Sequence, residues 1–497
     1  MLKKDINADL IALSRTGLGE FHLGLADGST LESSRIVRRV PGRRIVCFGQ
    51  WRGQAVYAKI FLGKSGYRYA ERDLQGVKLL EQAKVNTPAV LYHGADVDQH
   101  TKILIFAAVA QSQNAEDIWQ TLKDGQRFLL AQSLVREVAY HHNAGILQTD
   151  LYLKNFLVEG EKIYTIDGDA IKRLPNIFTD KCALRNLAVL MSKFDVLECE
   201  AWCHELVATY LSARKKQLLI DERSLKHDIW SHRQAVVKGY ADKKVFRQCT
   251  DVSVSRTFKR FLAVSSKFYH PQLLDALIDP DALLESANSQ KLKSGNTCTV
   301  ALTKIGADEI VVKRYNIKSF WHALGRAFRV SRAAKSWTNA HRLQMYRILT
   351  APPIALLECR FGIVRRHAYL LAENIAAPDV AEYFSAADSS AESWADKKNA
   401  ARNIASMFYK LNLLKITHGD FKATNIKIVG NEPLLIDLDS MREYRYRWMF
   451  ERQHIRDIRR FMRNWQHQPE VRQLLLDAFN DIYKDARLLT LSGVATR

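Results

Sequence analysis

Four residues recur in register in the two halves of this chain. Asp150, Asn155, Asp167 and Asp169 lie in TDLYLKNFLVEGEKIYTIDGD (149–169). Asp420, Asn425, Asp437 and Asp439 match them without a gap in GDFKATNIKIVGNEPLLIDLD (419–439). In each copy Asn follows the first Asp by five residues, and an Asp-x-Asp begins twelve residues later. One carboxylate to take a hydroxyl proton, with an amide and a second carboxylate to hold magnesium, is the set that phosphoryl transfer requires. Magnesium on a triphosphate takes hard oxygen ligands and few of them from protein, which suits Asn and Asp. Lys422, two residues beyond Asp420, is placed to reach the transferring phosphate.

Such loops work only when other elements bring a lysine to the phosphates. Residues 36–62 alternate β-branched and aromatic runs with polar residues and break at Pro41-Gly42 and Arg52-Gly53, which reads as a β-meander. Lys59 ends one of its strands, where an ATP-contacting lysine belongs. Helical spacing from Arg68 to Lys84 stops at Thr87-Pro88 and offers Asp73 or Glu71 as the partner of that lysine. Residues 103–109 read as a buried strand leading to a hinge over the adenine. A helix over 128–142 stops at Gly145, and a strand over 163–166 delivers Asp167. Gln148 stands where a His usually braces this kind of loop. Residues 184–210 read as one amphipathic helix of a C-terminal lobe.

The second half repeats the order. Residues 292–300 read as strand, tight turn at Gly295 and strand, either lying over phosphates or forming a bare hairpin. Lys313 again ends a strand. The lysines lie 254 apart (313 − 59) and the aspartates 270 (420 − 150), so about 16 residues are inserted between them. The insertion falls in IKSFWHALGRAFRVSRAAKSW, where Phe320, Trp321, Leu324 and Phe328 share a helical face ringed by Lys318, Arg326, Arg329, Arg332 and Lys335. Such a helix either lies on an anionic membrane surface or packs on its own lobe with a solvated basic face. The helical stretch Ser336–Leu343 contains no acid to pair with Lys313. A hinge strand over 369–375, a helix over 400–414 and a strand over 434–436 complete the repeat.

Composition sets the frame. A chain of 497 residues exceeds one ordinary core and divides into two domains, expected at 1–245 and 246–497. The hydrophobic fraction of 47 % excludes a disordered tail. A net charge of +21 calls for an anionic partner, either phosphates or a membrane face. No zinc-finger or helix-turn-helix signature accompanies the charge, so nucleic acid is not expected. Seven scattered cysteines without a CxxC fit a reducing compartment, and no apolar run reaches the length of a bilayer span. A cytoplasmic protein is expected, at the periphery of the inner membrane if it meets one.

With these residues in view, the chain resembles the lipopolysaccharide core (Kdo/heptose) kinases of Gram-negative bacteria. HGDFKATN with LLIDLD is close to that family's loop, and TDLYLKNFLV resembles the loop of its heptose kinases. VVKRYNIKSFWHALGRAFR and SWTNAHRL resemble a tandem-domain branch. The resemblance implies an α+β fold of two tandem protein-kinase-like domains, each with a small β-rich N-lobe and a helical C-lobe. It implies ATP and Mg2+ as cofactors and a core glycolipid as acceptor. Asp150 and Asp420 would be the catalytic bases, with Lys422 beside the second. Asn155, Asp167, Asn425 and Asp437 would be metal ligands, and Lys59, Lys313 and Gly295 would contact ATP. A protein or small-molecule kinase, or one copy serving as a non-catalytic scaffold, are the alternatives.

Overall fold

A computed structural model describes residues 10, 14, 20–286, 289–295, 297–316, 330–362, 364–385 and 391–494. The aromatic and basic helix expected around Phe320–Phe328 lies outside the described residues. The chain forms two compact units, one of residues 1–194 and 198–233, the other of 195–197 and 234–497.

The first unit opens with strands β1 (Phe21–Gly24), β2 (Thr30–Val40), β3 (Arg44–Trp51) and β4 (Gln54–Phe61). Helix α1 (Gly66–Gln82) follows, then β5 (Val90–Ala95) and β6 (Lys102–Ala107). These strands form one antiparallel sheet in the order β1-β2-β3-β4-β6-β5. Alternation along β4 buries Val56, Ala58 and Ile60 in a core with Ile45, Cys47, Ile103 and Ile105. The opposite face turns Lys59 toward α1. A short strand, β7 (Gln113–Asn114), leads into helices α2 (Ala115–Thr121) and α3 (Asp124–Asn143). Helix α3 ends at Gly145, whose φ of 73° is the left-handed value that glycine adopts without strain. Small strands β8 (Ile146–Gln148), β9 (Phe156–Glu159), β10 (Lys162–Thr165) and β11 (Ile171–Arg173) frame the acidic loops.

The single helix expected over 184–210 is in fact two, α4 (Thr179–Met191) and α5 (Val196–Ala213). The chain breaks after Ser192, and the Asp195 carboxylate accepts the Leu197 N–H at 2.9 Å to start the second helix. The heptad-like spacing continues across the break, which is why the sequence alone does not reveal it. Cys199 and Cys203 are buried on α5. Helix α6 (Glu222–Lys238) runs across the change from one unit to the other.

The second unit begins with a hairpin, β12 (Val252–Arg256) and β13 (Arg260–Ser265), and short helices α7 (Pro271–Ala276) and α8 (Ala282–Glu285). Then come β14 (Gln290–Ser294), β15 (Cys298–Ile305), β16 (Asp308–Tyr315), helix α9 (Arg332–Met345), β17 (Pro353–Phe361) and β18 (Val364–Glu373). The sheet order is β12-β13-β17-β18-β16-β15-β14. Aligning the lysine strands β4 and β16 makes β2-β3-β4-β6-β5 the counterpart of β14-β15-β16-β18-β17. The first unit extends this shared sheet with β1 at one edge, the second with the β12–β13 hairpin at the other. Helices α10 (Val380–Ser385) and α11 (Ala391–Leu414) precede β19 (Ile416–Thr417), β20 (Ile426–Val429), β21 (Glu432–Leu435) and β22 (Arg442–Glu443). Helices α12 (Arg447–Met462), α13 (Pro469–Ile482) and α14 (Ala486–Ser492) close a helical core around Phe408, Phe421, Phe461 and Phe479. Each unit is therefore a β-rich lobe joined to a helical lobe, the protein-kinase-like arrangement. No helix of the described residues is long and apolar enough to cross a membrane.

Candidate active site

In the first unit β4, α1 and the turn after β10 meet at Lys59. Its Nζ donates to Asp73 Oδ2 at 2.6 Å and to Asp167 Oδ1 at 3.1 Å. The structure thus selects Asp73 over Glu71, because only Asp73 lies on the buried face of α1. Burial favours the neutral amine, but the two carboxylates outweigh it and hold the Lys59 pKa above its ordinary value. Burial would also raise Asp167, and Lys59 and Arg44 overcome it, holding that carboxyl below the usual range. Asp167 has a φ of 72°, a left-handed backbone that an aspartate tolerates better than most residues and that turns the chain sharply at the site. The approach of α1 is set by glycine. A Cβ on Gly76 would fall 1.8 Å from Gly168 O, so helix and loop touch backbone to backbone.

Asn155 Nδ2 donates to Asp150 O at 2.7 Å. This bond fixes the amide so that its Oδ1 is left to face a ligand. Gln148 is fully buried and its Nε2 donates to Ile166 O at 3.2 Å. His418 in the second copy makes the same bond, from Nε2 to Ile436 O at 2.9 Å. The loop of the first copy therefore keeps its brace, since an amide N–H replaces an imidazole N–H. Asp150 is exposed and makes no ion pair among the described residues. A cavity of about 930 Å³ opens beside this set, lined by Lys59, Asn155 and Asp167 and by apolar Val46, Phe106, Val109 and Leu157.

The second unit repeats the geometry with different partners. Lys313 Nζ lies 2.5 Å from Asp437 Oδ1 and 3.8 Å from Asp439 Oδ2. Burial opposes its charge, yet these neighbours hold its pKa above the ordinary value, and Asp437 is held below its own. Asp437 again has positive φ, 59°. On α9, Asn339 Nδ2 donates to Leu438 O at 2.8 Å, the position equivalent to Gly168 O. Three residues before it stands Ser336, as Asp73 stands three before Gly76. Ser336 shares a 3.0 Å hydrogen bond with Tyr315 Oη, so no helix acid reaches Lys313. Asn425 Nδ2 donates to Asp420 O at 2.8 Å, as in the first copy. Asp420 is flanked by Arg460 Nη1 at 2.6 Å and Lys422 Nζ at 3.2 Å. Gly295 sits at the turn of the β14–β15 hairpin, and a Cβ there would meet only Cys298 O at 3.5 Å.

Several residues at these sites are absent from the sequence reading. Arg35, Arg38 and Arg44 of the β2–β3 hairpin line the first cavity, and RIVRRVPGRR (35–44) was their signal. Lys154 lines it too, four residues after Asp150, whereas Lys422 is two after Asp420. An arginine on α1 in one unit and on α9 in the other clamps the second acid of each Asp-x-Asp. Arg72 bonds Asp169, and Arg332, read from the sequence only as one cation of a basic helix face, bonds Asp439. They occupy different helix positions, so no spacing rule finds both. Asp457 accepts the backbone N–H of His418 at 2.8 Å and of Gly419 at 3.1 Å, while burial pushes its carboxyl up to about 6.

Comparison with known proteins follows this geometry. Residues 284–481 match the model of the lipopolysaccharide kinase (Kdo/WaaP) family. No curated protein sequence matches the chain. Among solved structures, WaaP in complex with acyl carrier protein is similar at 16 % identity, over 49 % of this chain and 98 % of that one, with a TM-score of 0.30. Vaccinia related kinase 3 is similar at 12 % identity, over 50 % and 82 %, with a TM-score of 0.26. Over residues 284–481 the chain carries the sequence pattern of the lipopolysaccharide kinase (Kdo/WaaP) family, and it is an ATP-using phosphotransferase with an alcohol group as acceptor.

Proposed function

We propose that the chain phosphorylates a heptose hydroxyl of the lipopolysaccharide inner core at the inner face of the inner membrane of a Gram-negative cell. Asp150 and Asp420 orient the acceptor hydroxyl and take its proton as its oxygen bonds to the γ-phosphorus and the bond to the ADP oxygen breaks. Lys59 and Lys313 position the triphosphate, and Lys422, with Gly295 on the hairpin above, attends the second one. Asn155 with Asp167, and Asn425 with Asp437, fit magnesium as an amide oxygen and a carboxylate, and would hold it to neutralise charge on the β- and γ-phosphates. Positioning and charge neutralisation carry most of catalysis in such chemistry. The observation that supports this reading is the repeated pairing of a half-buried strand lysine with a left-handed aspartate, beside an asparagine whose amide is fixed in the same way in both units.

A second reading, in which one copy is a non-catalytic scaffold, is favoured by the missing helix acid at Lys313. Turnover of ATP with purified core glycolipid separates the two. Asp150→Asn and Asp420→Asn should each lower turnover by about 10²–10⁴-fold at their own site, and the double variant should abolish it. Wild-type turnover in the double variant would defeat the proposed chemistry. Loss confined to one single variant would make the other copy the scaffold. Phosphate found on protein instead of glycolipid would reassign the acceptor.

A further inference from the structure

The second unit contains a cavity of about 1090 Å³ that neither Lys313 nor Asp437 lines. Its walls come from α9, the β12–β13–β17 edge of the sheet, and the segments around Gly419 and Asp439. Three acids face it, and each is neutralised by an arginine that also lines it. Arg332 bonds Asp439 at 2.5 Å, Arg342 bonds Asp242 at 2.5 Å, and Arg360 bonds Glu358. Three cations are left over. Arg256, Lys335 and Arg442 line the same cavity, are exposed, and make no ion pair among the described residues. Uncompensated charge of one sign in a concave site concentrates ligands of the other sign. The volume far exceeds one phosphate ion and lies just above the roughly 300–1,000 Å³ typical of pockets for organic ligands. Gly419, in the wall, immediately precedes Asp420, so a ligand held here adjoins the loop that carries the proposed base.

We infer that this cavity binds the phosphate and carboxylate groups of an acidic saccharide, with Arg256, Lys335 and Arg442 as specificity residues; this rests on the reading of the second unit as a sugar phosphotransferase. The full chain should be titrated calorimetrically with deacylated lipopolysaccharide inner-core oligosaccharide, with inorganic phosphate, and with a non-hydrolysable ATP analogue. In Arg256→Gln/Lys335→Gln/Arg442→Gln, affinity for the oligosaccharide should fall about tenfold or more, the scale of three exposed charge contacts, while affinity for the analogue holds. Arg256→Lys/Lys335→Arg/Arg442→Lys should retain oligosaccharide binding. Equal oligosaccharide affinity in the glutamine variant and the wild type overturns the inference. So does wild-type protein that takes inorganic phosphate as tightly as the oligosaccharide, which would make the cavity a free-anion site. Oligosaccharide binding that is lost in the glutamine variant but unaccompanied by phosphoryl transfer would defeat the kinase reading and leave the ligand class standing.

Discussion

Asp73 is fully buried and its Oδ2 bonds Lys59. Removing it leaves Lys59 with Asp167 as its partner, so the cost falls below the roughly 3–5 kcal/mol of breaking an isolated buried pair. Asp73→Asn is therefore expected to lower the melting temperature and weaken ATP-analogue binding, whereas Glu71→Gln, at a half-buried position that does not bond Lys59, should do neither. A smaller effect belongs to Gln148. Gln148→Ala strips Ile166 O of its donor and should cost about 1–3 kcal/mol in denaturant unfolding, and Gln148→His should recover part of it. Asp457 supplies a pH dependence. Its carboxyl ionises near 6 in the fold against an ordinary 3.8, so the folded protein binds that proton more tightly than the unfolded chain. Stability contributed by this group is present below about pH 4 and is lost as pH rises to about 6, by up to about 3 kcal/mol. Unfolding free energies across that range should show the slope, and Asp457→Asn should flatten it. A slope unchanged in the variant would assign the dependence to another group.

In the two units, the helix that packs on the acidic loop, α1 or α9, reaches it by different means. Helix α1 meets the turn after β10 backbone to backbone at Gly76 and Gly168, and that closeness lets the short Asp73 side chain reach Lys59. Helix α9 stands off by an Asn339 side chain that bonds Leu438 O and Met441 O. Gly76→Ala would force α1 away by more than a rotamer change can absorb, because the obstacle is backbone. A cost of about 1–3 kcal/mol or more is expected, together with weaker ATP-analogue affinity at the first site. Unchanged affinity would show that the helix acid is dispensable, as the second unit manages without one. The sequence made the helices themselves legible through their apolar period, but not this difference in approach.

For the molecule as a whole, +21 net charge is the dominant long-range feature. Proximity to an anionic membrane follows from it as a proposal, and it carries a salt test. Co-sedimentation with vesicles of anionic phospholipid should decline steeply as the Debye length shrinks from about 10 Å at 0.1 M salt to about 3 Å at 1 M. Binding insensitive to salt would point to burial of apolar surface instead. The shared strand order β2-β3-β4-β6-β5 and β14-β15-β16-β18-β17 makes the duplication a property of the fold as well as of the motif. The edge strands that differ are where the two copies diverge.

What the sequence determined by itself was local. The spacing from Asp to Asn to Asp-x-Asp is read within one loop and one hairpin, and residues so close in the chain are held in register by short-range hydrogen bonds. Alternation and helical period likewise placed Lys59 and Lys313 on strands and the first helix after each. The tertiary structure alone decided which carboxylate meets each lysine, that Gln148 braces a carbonyl as His418 does, that the helix over 184–210 breaks at Ser192, and that Arg72 and Arg332 clamp corresponding acids. The lysine and arginine pairs to the Asp-x-Asp acids join residues roughly a hundred positions apart, the brace at Gln148 closes a loop of 18 residues, and the choice of Asp73 depends on which face of a helix turns inward. They follow from how closely two backbones pack, which at Gly76 and Gly168 is a matter of one missing methyl group.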